Sequence, residues 1–287
     1  MPEGDSEMSA PGRGDPSRRH VELRPRASLT RVSTSTRADS YLICATPRSG
    51  STLLCGSLRS TGIAGSPESY FRFPDEQSWA DRWQIARDPA GAFDYGDYVR
   101  AAVAAGSTEN GVFGGRVMWG TMDEMVARLG VVHPDRAGAD LDLLTRAFGR
   151  TRFVHLWRDD TVAQAVSWAR AEQTGYWQQG DTVARGAEPR FEFAQVHGLV
   201  QTIHEHNQAW RDWFAAFEVQ PHRVRYEGLT ADLEGVTNGI LDFLGLDLTA
   251  DRNIEPGHHR QADETNCDWT ARYRAIAGRS GEVSENG

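Results

Sequence analysis

Apolar positions along the chain follow two alternating rhythms. Short unbroken apolar runs are bounded by polar turns, and between them apolar residues recur every three or four positions. Tyr41 to Ala45 is the first run, and Leu53, Leu54 and Leu58 follow it at helical spacing. Gly111 to Trp119 (GVFGGRVMW), Thr151 to Trp157 (TRFVHLW) and the shorter Arg223 to Tyr226 are further runs. Runs of this length predict buried strands. The helical rhythm predicts two helices within about 76–105 and others over 121–130, 138–148, 161–171, about 191–217 and, after Glu227-Gly228-Leu229, to about Gly245. Val162, Ala165, Val166 and Ala169 share one face of the 161–171 helix, and Trp269 and Tyr273 mark a last amphipathic helix. Strands alternating with helices predict an α/β fold, a mainly parallel sheet flanked by helices. Ligands gather beyond the carboxyl ends of the strands in such sheets. Residues 46–52, Arg158 and the stretch after Tyr226 fall there. Residues 1–38 are rich in Pro, Gly, Ser, Thr and Arg and too poor in apolar side chains to offset their ordering entropy. They are expected to be a disordered tail, leaving 39–287 as the folded domain. Residues 172–190, with Tyr176 and Trp177, form a long polar insertion of the kind used as a lid or binding loop.

Composition narrows the partners. The chain has 287 residues, 39% of them hydrophobic, and nine Trp, enough for one large core. A net charge of −9 leaves no general footprint for nucleic acid. No run reaches the length of a membrane span, and no continuous apolar segment near residue 1 reads as a secretory signal. Cys44, Cys55 and Cys267 give neither a disulfide framework nor a CxxC metal site, which fits a reducing cytoplasm. Cys44 and Cys55 read as small core residues rather than nucleophiles. His204 and His206 are two apart, which puts them on different helix faces; His197 and His204 share a face without an obvious third ligand, so no metal site is expected.

The candidate chemistry centres on Thr46-Pro47-Arg48-Ser49-Gly50-Ser51-Thr52, between the first strand and its helix. The first N–H groups of a helix have no internal partner and, with the helix dipole, attract an anion. Gly50 lets the backbone approach, Ser49, Ser51 and Thr52 add hydroxyls, and Arg48 adds a forked cation. Aligned on the Walker pattern, Ala45 replaces the first Gly and Ser51 the Lys, and the chain contains no Lys at all. A triphosphate-hydrolysing loop needs that Lys. Arg116, inside an apolar strand, reads either as half of a salt bridge or as a cation aimed at a ligand. Asp159 and Asp160 suit the start of the next helix.

The loop TPRSGSTLL after a strand resembles the 5′-phosphosulfate loop of sulfotransferases that use 3′-phosphoadenylyl sulfate. More closely, RSGSTLL, LRSTGIAGSPESYF, GVFGGRVMW, QAVSWARAEQT and RQADETNCDWTARYR, in this order over about residues 40–275, resemble the bacterial trehalose 2-sulfotransferase family. The resemblance implies a sulfotransferase, P-loop-NTPase-like fold and transfer of a sulfuryl group from 3′-phosphoadenylyl sulfate (PAPS). The acceptor would be a hydroxyl of a carbohydrate or of a hydroxylated or glycosylated natural product. Arg48, Ser49, Gly50, Ser51 and Thr52 would hold the 5′-phosphosulfate, and Arg48 and Arg116 would meet the reacting group; the family often has Lys at the latter position. Arg158 and Ser167 would bind the 3′-phosphate with help from Arg260, and Tyr226 would lie along the adenine. No metal is implied; a homodimer is. The family's general base is a Glu directly before the aromatic pair, where this chain has Ser69; Glu68, one residue earlier, is the nearest carboxylate and is expected to act as the base, with His155 or Asp123 as the next candidates. A P-loop kinase or NTPase is one alternative reading. A non-catalytic nucleotide-binding protein of the same fold is another, favoured by the Glu68/Ser69 shift.

Overall fold

The computed structural model describes residues 37–136, 140–177, 188–249, 254–255 and 264–285. The first half of the domain runs β1 (Ser40–Ala45), α1 (Ser51–Ser60), α2 (Phe73–Arg82), α3 (Tyr95–Gly106), β2 (Phe113–Met118), α4 (Trp119–Val132) and, after a 3₁₀ turn, α5 (Asp140–Phe148). The second half runs β3 (Thr151–Trp157), α6 (Thr161–Thr174), α7 (Phe193–Ala216), β4 (His222–Arg225), α8 (Tyr226–Ala231), α9 (Leu233–Leu244) and α10 (Glu264–Glu285). The strands form one sheet in the order β2-β1-β3-β4, every pairing parallel. The α/β architecture read from the sequence is the one observed. β1 is central, with Ile43 opposite Arg116 of β2 and Val154 of β3.

Alternate side chains of a strand point to opposite faces, and β1 fills two cores this way. Leu42 and Cys44 pack with Trp210 and Phe214 of α7; Tyr41, Ile43 and Ala45 pack with Leu54 and Leu58 of α1 and Leu241 of α9. A third apolar cluster joins Ala165, Val166 and Ala169 of α6 to Ile203 of α7 and to Trp269 and Tyr273 of α10. These clusters hold the carboxyl ends of β1, β2 and β3 in fixed relation.

Several boundaries differ from the sequence pattern. Trp119 and Tyr226, read as strand ends, each begin a helix with no intervening turn, α6 runs on to Thr174, and the stretch Glu227-Gly228-Leu229 is itself helical, in α8, ahead of the helix that ends at Leu244. The expected tail lies outside the described residues except for 37–38, where Ala38 is buried and donates its N–H to the Leu244 carbonyl. Residues 178–187 of the polar insertion, and Arg260, are also outside them.

Candidate active site

The turn after β1 is built tightly. Gly50 has φ 93, a left-handed conformation that favours glycine. A Cβ at Gly50 would also lie 2.4 Å from Cδ2 of Tyr226, so the aromatic ring packs directly on the loop backbone. Two side chains support the turn from elsewhere. Trp210 Nε1 donates to the Ala45 carbonyl at 3.0 Å, and Gln164 Nε2 donates to Thr46 Oγ1 and to the Pro47 carbonyl, both at 2.7 Å. Gln164 is fully buried on α6, and no apolar or charge signal in the sequence distinguished it. The ten-residue α1 has no side-chain cap, which leaves its first N–H groups to a ligand. Ser49 Oγ is buried and has no hydrogen-bond partner among the described residues.

Arg116 ties this loop to the segment after α1. Its Nη1 donates to Thr52 Oγ1 at 3.1 Å and to Ser51 Oγ at 3.5 Å, its Nε donates to Ser69 Oγ at 2.8 Å, and its Nη2 lies 3.6 Å from Glu68 Oε2. The salt bridge expected as one reading of Arg116 is present, and the same guanidinium reaches the loop hydroxyls. Glu68 and Ser69 reach it because their segment lies along the edge of β2. Glu68 bridges Gly115, and the Arg116 N–H donates to the Glu68 carbonyl at 2.9 Å. Glu68 also pairs with Arg59 of α1, whose Nη2 donates to the Pro67 carbonyl at 3.1 Å. Arg59 was not singled out by the sequence, because only the fold shows that its helix passes this loop.

On the other side of the loop, the Arg158 guanidinium lies 4.7 Å from the centre of the Tyr226 ring, a cation–π contact. Arg158, Tyr226 and Gly50 thus form one stack. Arg158 Nε is buried with no hydrogen-bond partner among the described residues. A buried guanidinium nitrogen without an acceptor is costly unless a ligand supplies one. Together with Ser49 Oγ and the first N–H groups of α1, it fits a donor carrying two anionic groups. Glu227 fixes the approach by accepting from the Asp159 N–H at 3.2 Å, and Asp160 caps α6 by accepting from the Ala163 N–H. Arg48, at φ 63, turns its side chain away from the loop towards α6; Nε donates to Ser167 Oγ at 2.9 Å and Nη1 to the Trp177 carbonyl.

The remaining candidates sit elsewhere. Burial pushes the Cys55 thiol up to about 11 and Cys44 well above its usual value, as inert core residues require. Asp123 is exposed on α4. His155 is buried against Trp157 and Phe214. Burial, reinforced by the charges of Arg211 and Arg223, lowers its pKa to about 4. The folded value lies below the unfolded one, so its contribution to stability is complete above about pH 6.5 and lost as pH falls towards 4. Through that window the chain should lose about 1.4 kcal/mol per pH unit at this site. Urea midpoints at several pH values should fall less steeply for His155→Phe than for the natural chain; equal slopes would place the titrating group elsewhere. Among the described residues no helix is long and apolar enough to cross a membrane, and no three His, Cys, Asp or Glu cluster as metal ligands.

An anion loop at the carboxyl edge of a parallel sheet, closed on one side by a guanidinium and a carboxylate, places the chain among the P-loop-like α/β transferases. The chain belongs to the Stf0 sulphotransferase family, whose model matches residues 40–276. It is 33% identical over 263 residues to the trehalose 2-sulfotransferase of Mycolicibacterium smegmatis and 32% identical over 263 residues to that of Mycobacterium tuberculosis. Each alignment covers 84% of this chain and 96% of the relative. Among solved structures, the sulfotransferase domain of the Synechococcus PCC 7002 olefin synthase covers 84% of this chain and 96% of its own, at 16% identity and a TM-score of 0.37. Family membership makes the protein a sulfotransferase and sets aside the kinase reading.

Proposed function

We propose that the protein moves a sulfuryl group from PAPS to a hydroxyl of a carbohydrate or of a glycosylated natural product, a disaccharide such as trehalose being the first acceptor to test. The observation that carries this is the Arg116 clamp, which puts a carboxylate one guanidinium away from the hydroxyls of the anion loop. When bound, PAPS supplies an activated sulfur and an anionic leaving group. The loop N–H groups, Ser49, Gly50, Ser51 and Thr52 hold the 5′-phosphosulfate. Arg158 and Ser167 hold the 3′-phosphate, and Tyr226 flanks the nucleoside. The acceptor oxygen attacks sulfur as the bond from sulfur to the bridging oxygen breaks, and that electron pair leaves on the 5′-phosphate. The acceptor proton passes to Glu68. Arg116 offsets the charge that develops on the sulfuryl and bridging oxygens, where fixed donors contribute most, while Arg48, turned towards Ser167, serves the 3′-phosphate side. The three cysteines carry no disulfide, which agrees with a reducing, cytoplasmic setting. A homodimer is the assembly the family resemblance implies, and the mass in solution tests it.

Adenosine 3′,5′-bisphosphate, the product nucleotide, tests the donor assignment. It should raise the melting temperature by about 5–10 °C at a hundredfold excess over its Kd, with or without magnesium. Arg158→Ala should weaken that binding by about 1.5–3 kcal/mol, the scale of a hydrogen bond to a charged group. A shift with ATP but none with the bisphosphate would overturn the assignment.

A further inference from the structure

The segment that carries Glu68 runs from the end of α1 to the start of α2 with no helix or strand of its own. Its backbone is pinned around Glu68. The Ser66 N–H donates to the Gly106 carbonyl at 2.8 Å, the Arg116 N–H to the Glu68 carbonyl at 2.9 Å, and the Tyr70 hydroxyl to the Ser66 carbonyl at 2.7 Å. The Glu68 side chain has no such frame. It is 32% exposed, so packing does not fix its rotamer. A carboxylate left to rotate loses the alignment that proton transfer needs, and a misplacement of about 1 Å can cost on the order of 10²-fold. Arg59 supplies the missing restraint by meeting this segment at three successive residues. Its Nε donates to Ser66 Oγ at 3.0 Å, and its Nη2 donates to the Pro67 carbonyl at 3.1 Å and to Glu68 Oε1.

We infer that Arg59 is a positioning residue for the transfer: it anchors Glu68 by Oε1 and leaves Oε2 as the atom that takes the acceptor proton. The inference rests on the sulfuryl-transfer reading above and deepens it. The two oxygens of Glu68 differ in their partners. Oε1 accepts a hydrogen bond from Arg59, whereas Oε2 stands 3.6 Å from Arg116 Nη2, an ion pair too long for a hydrogen bond. The other nitrogens of Arg116 are directed at Ser51, Thr52 and Ser69. Oε2 therefore keeps lone pairs for a hydroxyl on the side of Arg116 and the loop. As the acceptor oxygen bonds to sulfur and the bond from sulfur to the bridging oxygen breaks, the hydroxyl proton moves to Oε2 and the carboxylate becomes neutral. Arg59 holds Oε1 throughout, so the carboxyl group does not swing. Arg59 acts through Glu68 rather than on the donor. It lies in the last turn of α1, about 12 Å along the helix axis from Ser51. The helix whose first turn follows the anion loop thus carries, near its other end, the cation that aims the base.

Steady-state turnover of the full chain separates aiming of the base from simple support of its segment. PAPS is the donor, and the acceptor is trehalose or the best of a panel of disaccharides and glycosides. Arg59→Met keeps the aliphatic stem and removes the fork. Its kcat should fall about 10–100-fold, while the acceptor KM and the calorimetric Kd of adenosine 3′,5′-bisphosphate change less than threefold. Arg59→Lys keeps a cation for Oε1 and should fall between the Met variant and the natural chain. The deciding readout is a double-mutant cycle. In a Glu68→Gln background, adding Arg59→Met should lower the residual turnover less than about twofold, because the anchor has no base left to hold. If Arg59→Met fails to fold, the same cycle is run with Arg59→Lys, whose smaller loss should also vanish in that background. Losses of equal factor in both backgrounds would make Arg59 a support of the 61–72 segment and overturn the inference. So would a kcat in Arg59→Met within threefold of the natural chain, or a Lys variant no better than the Met variant. These outcomes leave the sulfuryl-transfer reading standing. Full turnover in Glu68→Gln, or a natural chain that sulfates none of the acceptors, overturns that reading and this inference with it.

Discussion

Replacing Arg116 with Ala should lower kcat by about 10²–10³-fold, the usual cost of removing one fixed donor from developing charge. Three features make the effect large. The side chain is only 13% exposed, so its charge acts where water screens little. It contacts the loop hydroxyls of Ser51 and Thr52 together with Ser69 and Glu68, so its loss disconnects the loop from the carboxylate. Glu68 would keep Arg59 as its partner, so the carboxylate would not be stranded, and the fold should survive. Bisphosphate affinity should change less than tenfold, because the proposed donor site rests on the loop N–H groups and Arg158. Arg116→Lys restores the charge without the fork and should recover part of the loss. Steady-state kcat beside calorimetric bisphosphate affinity checks this. An Ala variant that keeps kcat within threefold of the natural chain would make Arg116 a structural salt bridge and nothing more.

The elements that framed this site differ in how far the sequence revealed them. β3 was legible to the residue, Thr151 to Trp157, because an apolar run ends there at Arg158 and a capping acid follows. The carboxyl ends of β2 and β4 were misread by one residue, and the cause is the same in both. Met118 and Arg225 precede their helices without a side-chain cap, and neither is a residue type that caps a helix. Sequence signals for a helix start depend on caps, so an uncapped start is invisible. The start of α9 is different: Asp232 caps that helix by accepting from the Gly235 N–H. The anion loop and Arg158 could be placed from strand ends alone. The Arg48 side chain could not, because its direction depends on a left-handed backbone that any residue between Pro47 and Ser49 might have been expected to avoid. Nor could Gln164 and Arg59, whose roles arise from helix packing between segments far apart in the chain.

Glu68→Gln should reduce turnover by about 10²–10⁴-fold, the contribution typical of a positioned general base. The acceptor hydroxyl must lose its proton as sulfur is attacked, and Glu68 is the carboxylate that the β2 edge brings to Arg116. Gln is nearly isosteric and keeps an oxygen for Arg59 and Arg116, so the segment should hold its place while proton acceptance is lost. Bisphosphate affinity should stay within threefold, which assigns the loss to the chemical step rather than to donor binding. Ser69→Ala should cost little by comparison, because Ser69 only accepts from Arg116 Nε at the rim of the clamp. Ser69→Glu is the informative partner. It places a carboxylate against the same guanidinium, and in a Glu68→Gln background it should restore activity on a disaccharide by tenfold or more. Mass detection of the sulfated product reads all three variants. Full turnover in Glu68→Gln would show that the proton goes elsewhere, and absence of rescue by Ser69→Glu would show that the one-residue shift has changed the acceptor geometry as well as the base.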